Sequence, residues 1–126
     1  MSDCAFCKIV QGNILARVVG QNERAIAFLD AFPLAAGHTL IVPKTHYVKM
    51  QDMPPEDSAA VFSLVREVVR KVESATGTDA SLLAIHNGRV AGQEVPHVHV
   101  HIIPRKAGDD AGPVHSLFKK PKLTPE

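Results

Sequence analysis

The chain lacks a net charge of either sign, a long apolar segment and an internal repeat. Its 14 basic and 13 acidic residues nearly balance, so its overall charge gives no basis for binding DNA, RNA or an anionic membrane surface. No apolar run approaches the length of a membrane span, and the first residues lack the pattern of a secretory signal. We therefore expect a cytoplasmic protein that binds neither a membrane nor a nucleic acid polymer.

Cysteine is also scarce, with only Cys4 and Cys7 among 126 residues. Because the two are three positions apart, a disulfide between them would constrain little of the chain. A chain of this length buries roughly two thirds of its unfolded surface and needs no such crosslink. The CxxC spacing favours half of a metal site or a redox pair. Two buried cysteines without a chemical role are the third alternative.

Hydrophobic patterning predicts a single α+β domain with one long helix. Apolar residues recur at helical spacing over 61–72, after acidic and proline signals for a helix start at 52–57 and before Gly77. This order favours a five-stranded antiparallel sheet with the long helix and a short N-terminal helix. We place the domain at residues 1–110 and expect an irregular tail at 111–126. The strand-like runs lie at 17–20, 25–29, 38–42, 81–85 and 97–103.

Three histidines alternate with valines in the run HVHVH at 97–101. Successive side chains of a strand point to opposite faces, so we expect the imidazoles on one face and the valines on the other. Each buried imidazole needs a hydrogen-bond partner, so packing alone gives no reason for such a row. The pattern predicts imidazole catalysis or metal binding.

The run GQEVPHVHVHIIP at 92–104 resembles the signature of the histidine triad (HIT) family of nucleotide hydrolases and transferases. The segments FLD at 28–30 and GHTLIVPK at 37–44 follow the family's order. The resemblance implies a HIT-like fold and a hydrolase that cleaves purine nucleoside phosphoramidates or related nucleotides through a covalent nucleotidyl-histidine intermediate. The alternatives are a dinucleoside polyphosphate hydrolase, a purine-nucleotide-binding regulatory protein with incidental turnover, and a metal-binding protein that uses the triad as a chelate.

The resemblance also implies roles for the residues around the scissile bond. His99 corresponds to the nucleophile, with its other ring nitrogen oriented by a backbone carbonyl, and a neutral imidazole is a competent nucleophile toward phosphorus. His101 and His38 correspond to residues that contact the phosphoryl oxygens. Gln93 and the backbone N–H of Val95 would add further donors to the developing charge.

A nucleoside pocket is implied in the same way. Asp30 corresponds to a carboxylate that accepts hydrogen bonds from ribose hydroxyls. Where relatives often carry an asparagine or glutamine against phosphate, this chain has His86 followed by Asn87, and either could supply the contact. The apolar residues that correspond to the walls around the base, and that could equally be core, are Phe6, Ile9 and Phe28.

A structural zinc ion and a dimer complete what the resemblance implies. Some members of the family bind zinc through a cysteine pair and two histidines, and cysteine with histidine forms tetrahedral zinc sites. The family also pairs into homodimers through the long helix and a neighbouring strand, and the wide arc of valines on the predicted helix agrees with such pairing. The positions that correspond to the zinc ligands are Cys4, Cys7, His46 and His97.

Overall fold

The structure, a computed structural model, describes residues 3–119. One antiparallel sheet has the strand order β1-β2-β3-β5-β4, and the long helix packs on one of its faces. The elements are α1 (Ala5–Val10), β1 (Val18–Gln21), β2 (Ala25–Leu29), β3 (Thr39–Pro43), α2 (Pro55–Thr76), β4 (Ala80–Ile85) and β5 (Val100–Arg105), with 3₁₀ turns at Met50–Asp52, Arg89–Ala91 and Val114–Leu117.

These elements confirm the predicted fold class, an α+β domain with five antiparallel strands, one long helix and a short N-terminal helix. Of the predicted tail, 111–119 holds only a single 3₁₀ turn, and 120–126 lies outside the described residues. None of the helices within 3–119 is long and apolar enough to cross a membrane.

Helix α2 begins and ends where local chemistry favours it. Pro55 occupies the first helical position, where its missing N–H costs nothing, and Gly77 closes the helix with a φ of 70°. Asp52, the first residue of the predicted helix start at 52–57, instead belongs to the preceding 3₁₀ turn, where its carboxylate accepts from the N–H of Lys49. The buried face of α2 consists of Val61, Leu64, Val65, Val68 and Val72. It packs against Val98, which lies just before β5, and against the sheet residues Ala25, Ala27, Ile41, Val100 and Ile102.

Strand β5 starts at Val100, three residues later than the HVHVH alternation predicts. The register that pairs Ile41 with Val100 would place Pro43 opposite Val98, and proline has no N–H to donate to a ladder. The N–H of Val98 donates instead to the carbonyl of Tyr47. The valines still share one face of the sheet, as predicted, and pack against α2.

The opposite face of the sheet carries a second apolar cluster beneath α1. Phe6 and Cys7 of the short helix pack with Ile26, Phe28 and Leu40 of the central strands. This face is also where the alternation of β5 directs His101. The chemically distinctive residues therefore lie on the side of the sheet that α2 leaves uncovered.

Candidate active site

Four imidazoles gather on the sheet face opposite α2. His101 belongs to β5, His99 lies just before that strand, His38 precedes β3 and His86 follows β4. The ring centroid of His101 is 5.0 Å from that of His99, 5.2 Å from that of His38 and 5.3 Å from that of His86. The structure therefore brings together His99, His101 and His38, with His86 as a fourth imidazole.

Hydrogen bonding holds the His99 ring in one tautomer. Its Nδ1 lies 2.8 Å from the carbonyl oxygen of His97, which can only accept, so Nδ1 carries the proton and Nε2 keeps a free lone pair. Phe6 packs edge-on against the ring, with the centroids 5.0 Å apart. Burial lowers the pKa of His99, although the hydrogen bond to the His97 carbonyl acts in the opposite direction.

A relay of hydrogen bonds fixes the tautomers of His38 and His101 as well. The N–H of Leu34 donates to Nδ1 of His38 at 3.0 Å, so the proton of His38 is on Nε2. That Nε2–H donates to Nδ1 of His101 at 2.9 Å, which places the proton of His101 on its own Nε2. Within residues 3–119, Nε2 of His101 is buried and has no hydrogen-bond partner. The relay thus ends in an N–H donor for which the described residues supply no acceptor.

Burial keeps these two imidazoles neutral. It lowers the pKa of His101 to about 4, with the positive charges of the neighbouring histidines acting in the same direction. Burial also lowers the pKa of His38, against the attraction of Asp30. At neutral pH both rings therefore donate hydrogen bonds as neutral imidazoles.

Asp30 stands at the edge of this group. One carboxylate oxygen accepts from the N–H of Phe32 at 2.9 Å, and the other lies 3.5 Å from Nε2 of His38. Phe6 and Phe28 pack edge to face, with centroids 5.6 Å apart, and are 7% and 2% exposed. Both are core residues, of which Phe6 also contacts the His99 ring, and Ile9 packs partly buried against the same cluster.

The remaining predicted residues hold the loop between β4 and β5. The Gln93 amide accepts from Gly88 N–H and donates to the carbonyls of Val48 and Val95, so the structure shows it bracing the loop. Asn87 accepts from Met50 N–H and donates to the Gln51 side chain, again away from the imidazoles. Of the pair at 86 and 87, only His86 approaches the triad.

A second cluster joins α1 to the segments around β3 and β5. One ligand atom from each of Cys4, Cys7, His46 and His97 lies within 4.8 Å of every other. His97 therefore belongs to this cluster, so the three triad imidazoles do not converge on one ion. The donor atoms of a second, smaller group, Asp30, His38 and His101, also lie within 4.8 Å of one another. The facing nitrogens of its two histidines already share a hydrogen bond, which leaves them less suited to bind a metal ion.

The geometry of the cysteine cluster fits a tetrahedral zinc ion. Zinc–sulfur bonds of about 2.3 Å and zinc–nitrogen bonds of about 2.0 Å put neighbouring donors about 3.5 Å apart. Nδ1 of His97 lies 3.4 Å from Sγ of Cys4 and 3.6 Å from Sγ of Cys7, and Nδ1 of His46 lies 3.3 Å from Sγ of Cys7. Nε2–H of His97 donates to the carbonyl of Pro43, which turns the Nδ1 lone pair toward both sulfurs.

The thiols must lose their protons to bind a metal ion. Burial raises the pKa of Cys7, and the adjacent Cys4 raises it further. A cation bound by both sulfurs would offset these effects, because it stabilises the thiolate forms that bind metal. The donor set is therefore well matched to zinc.

Sequence reasoning missed one buried polar group that supports the site. Asp57, an acid within the predicted helix start at 52–57, is 2% exposed. Its carboxylate accepts hydrogen bonds from Arg24 and from the hydroxyl of Tyr47, each at 2.8 Å. Tyr47 follows His46, and its carbonyl accepts from Val98. No sequence signal separates Asp57 from its exposed neighbour Glu56.

The chain belongs to the histidine triad family, since the family model for the HIT domain matches residues 11–108. An uncharacterized HIT-like protein of Methanocaldococcus jannaschii is 48% identical over 106 residues, which cover 84% of this chain and 81% of that protein. An adenylylsulfatase of Arabidopsis thaliana is 41% identical over 108 residues, or 86% of this chain and 55% of that longer protein. An adenosine 5′-monophosphoramidase of Schizosaccharomyces pombe is 41% identical over 81% of this chain and 74% of its own length.

Solved structures agree with this assignment. A histidine triad family protein of Mycobacterium smegmatis with bound zinc has a TM-score of 0.81 and 36% identity, over 86% of this chain and 79% of that one. A crystal structure from Streptococcus mutans has a TM-score of 0.87 and 35% identity, over all of this chain and 77% of that one.

Proposed function

We propose that this protein is a nucleotide hydrolase that cleaves phosphorus–nitrogen or phosphoric anhydride bonds of purine nucleoside phosphoramidates and related nucleotides. His99 is the nucleophile, and a nucleotidyl group on its Nε2 is the intermediate. Membership of a family that includes a phosphoramidase and an adenylylsulfatase supports a hydrolase acting on a nucleotide.

One observation carries this proposal: the tautomers of two adjacent imidazoles are complementary. His99 presents a lone pair at Nε2, because its other nitrogen donates to a carbonyl. His101, with a ring centroid 5.0 Å away, presents a buried N–H that no group within residues 3–119 accepts. A nucleophile beside an unpaired donor is the arrangement that a phosphoryl group requires, since attack at phosphorus places charge on its oxygens.

The reaction then follows as two displacements. Nε2 of His99 attacks phosphorus, a P–N bond forms, and the bond to the leaving group breaks with its electron pair. Water next attacks phosphorus, and the pair of the P–N bond returns to His99. Nε2–H of His101 stabilises the oxygens in both steps, while the relay from Leu34 through His38 keeps that proton in place. On the binding side, Asp30 has one oxygen directed toward His38 and could accept from the ribose.

Two displacements predict retention of configuration at phosphorus. A chiral thiophosphate nucleotide should therefore be hydrolysed with retention, and His99→Ala should abolish turnover. His99→Gly should recover part of the activity with added imidazole, which restores the missing ring. His101→Ala removes one donor and should cost about a hundred- to a thousandfold in rate. Inversion at phosphorus, or equal residual activity in the two alanine variants, would contradict the assignment.

We also propose that the cysteine cluster holds one structural zinc ion. Cys4 and Cys7 of the N-terminal segment, with His46 and His97, would supply a closed set of four ligands, which leaves no open position for catalysis. Zinc in such a site supplies crosslinking rather than reactivity. The bound zinc in the Mycobacterium smegmatis relative supports this proposal.

The choice of leaving group is left to a substrate panel. The candidate substrates differ only in the group beyond the attacked phosphorus: adenosine phosphoramidates, dinucleoside polyphosphates and adenylyl sulfate. Two relatives of similar identity are an adenylylsulfatase and a phosphoramidase. Preserved nucleotide binding and preserved cellular function in a His99→Ala variant would favour the regulatory alternative. A homodimer in the cytoplasm remains our expectation for the whole protein.

A further inference from the structure

His86 lies against the triad on the side away from His38. Strand β5 lies between β3 and β4, so His38, ahead of β3, and His86, after β4, flank the triad strand. The rings of His86 and His101 meet at an interplanar angle of 69°. The neighbouring residue Asn87 is tied down by two hydrogen bonds, whereas within residues 3–119 no group hydrogen-bonds to the His86 ring.

The loop after β4 is shaped around this ring. Gly92 has a φ of 108°, and a Cβ there would lie 3.3 Å from Cδ2 of His86 and 3.5 Å from two further ring atoms. The Gln93 amide fixes the same loop through Gly88 and Val48. The imidazole is thus held by packing, while its two nitrogens remain unbonded.

Neither His101 nor His38 is an acid for the leaving group. His101 and His38 are neutral because burial lowers the pKa of each, so their N–H groups donate hydrogen bonds but do not release protons near pH 7. An alkylamine or alkoxide cannot depart readily unless it is protonated as its bond to phosphorus breaks. Histidine is the side chain best suited to supply such a proton near neutrality.

On this basis, which rests on the proposed function above, we propose that His86 is the general acid and base of the reaction. In the first displacement an imidazolium N–H of His86 gives its proton to the leaving nitrogen or oxygen, which takes the electron pair of the broken bond. In the second displacement the neutral ring takes a proton from the attacking water, which restores the imidazolium. Each cycle therefore consumes one water and leaves His86 unchanged.

The groups around His86 agree with a role on the phosphate side of the site. His99 and His101 face it from β5, and burial keeps the His101 ring neutral near pH 7. Lys49, from the segment before α2, has its ammonium nitrogen 4.0 Å from the position that a Gly88 Cβ would occupy. This ammonium group lies beside the loop that carries His86 and would attract an anionic substrate.

A series of adenylyl substrates with different leaving groups tests the proposal. Adenosine 5′-(p-nitrophenyl phosphate) releases a stable phenolate and needs no acid, whereas adenosine 5′-(N-alkyl phosphoramidates) release a strongly basic amine. We expect His86→Asn to lower kcat/KM about a hundredfold or more on the alkylamides and only a few fold on the nitrophenyl ester. His115→Asn, which removes an exposed imidazole from the tail, is the control and should change neither value.

An equal loss on every substrate would overturn the proposal, because the loss would not depend on how much the leaving group needs a proton. No loss on any substrate would also overturn it, because it would show a phosphate contact that an asparagine can replace. Melting temperature and AMP binding establish that the variant is folded, and His86→Gln provides a second replacement. If neither variant folds, the wild-type series decides: a steep decline of kcat/KM with leaving-group basicity shows that no acid assists, and a shallow one supports His86. Failure of wild-type protein to hydrolyse any substrate would instead overturn the hydrolase function itself.

Discussion

At the scale of single residues, the site depends on which nitrogen of each imidazole carries the proton. The HVHVH pattern identified the histidines, because a row of imidazoles has no packing use. It could not identify their partners, which are the carbonyls of Pro43 and His97 for the first two histidines and the His38 ring for the third. Gln93 shows the same limit, since only the folded loop reveals that its amide is bonded to backbone.

The burial of His101 predicts a dependence of stability on pH. Its pKa in the folded chain, about 4, is below the ordinary histidine value of 6.5. Between these values the unfolded chain therefore binds more protons than the folded chain. The free energy of unfolding should be greatest above pH 6.5 and should decrease as the pH falls toward 4. We expect the urea midpoint to decline over this range, and His101→Gln to make that decline shallower.

The comparison variant for this titration is His115→Gln, which alters an exposed histidine and should leave the decline unchanged. His38 also has a lowered pKa, so the slope should diminish in His101→Gln without vanishing. A slope identical to that of the wild type would show that His101 is not held neutral by the fold.

At the scale of elements, periodicity predicted the helix and all five strands but misplaced the start of β5 by three residues. Alternation reports which face a side chain takes, and the valines do take the predicted face. Ladder pairing depends instead on the partner strand, and Pro43 ends it. Long-range contacts of this kind cannot be read from the pattern of one segment.

Asp57 connects α2 to the turn between β1 and β2 and to the segment that follows β3, so its removal should destabilise the fold. Asp57→Ala leaves the Tyr47 hydroxyl without its acceptor and should lower the free energy of unfolding by about 1–3 kcal/mol. The adjacent Glu56→Ala removes an exposed acid from the same helical turn and is the matched control. Urea denaturation of both variants would show a structural role only if Asp57→Ala is clearly the less stable.

The cysteine cluster should behave as a crosslink between elements. We expect about one zinc per chain by elemental analysis after purification without chelator, because a site with four protein ligands binds the ion tightly. Replacing both Cys4 and Cys7 by serine should remove the metal and lower the melting temperature, while His115→Asn should do neither. Unchanged metal content in the double variant would place the ion elsewhere.

At the scale of the whole molecule, the structure changes the argument for a dimer. Val65, Val68 and Val72 are all buried against the chain's own sheet, so the valine arc of α2 requires no partner. The exposed apolar residues include Phe62 of α2, 41% exposed, and Leu83 of the edge strand β4, 49% exposed. Leu83 pairs with Ile102 and so lies on the α2 face of the sheet.

An unpaired strand edge beside exposed apolar side chains favours pairing with a second copy. We expect light scattering at micromolar concentration to give twice the chain mass of 13.6 kDa. Leu83→Lys combined with Phe62→Glu should shift the protein to the monomer, because both substitutions place charge in the proposed interface. Leu15→Lys, at a position that is 97% exposed on the N-terminal side of β1, should leave the mass unchanged. A wild-type protein that scatters as a monomer would contradict the prediction, and a double variant that remains a dimer would place the interface on another surface.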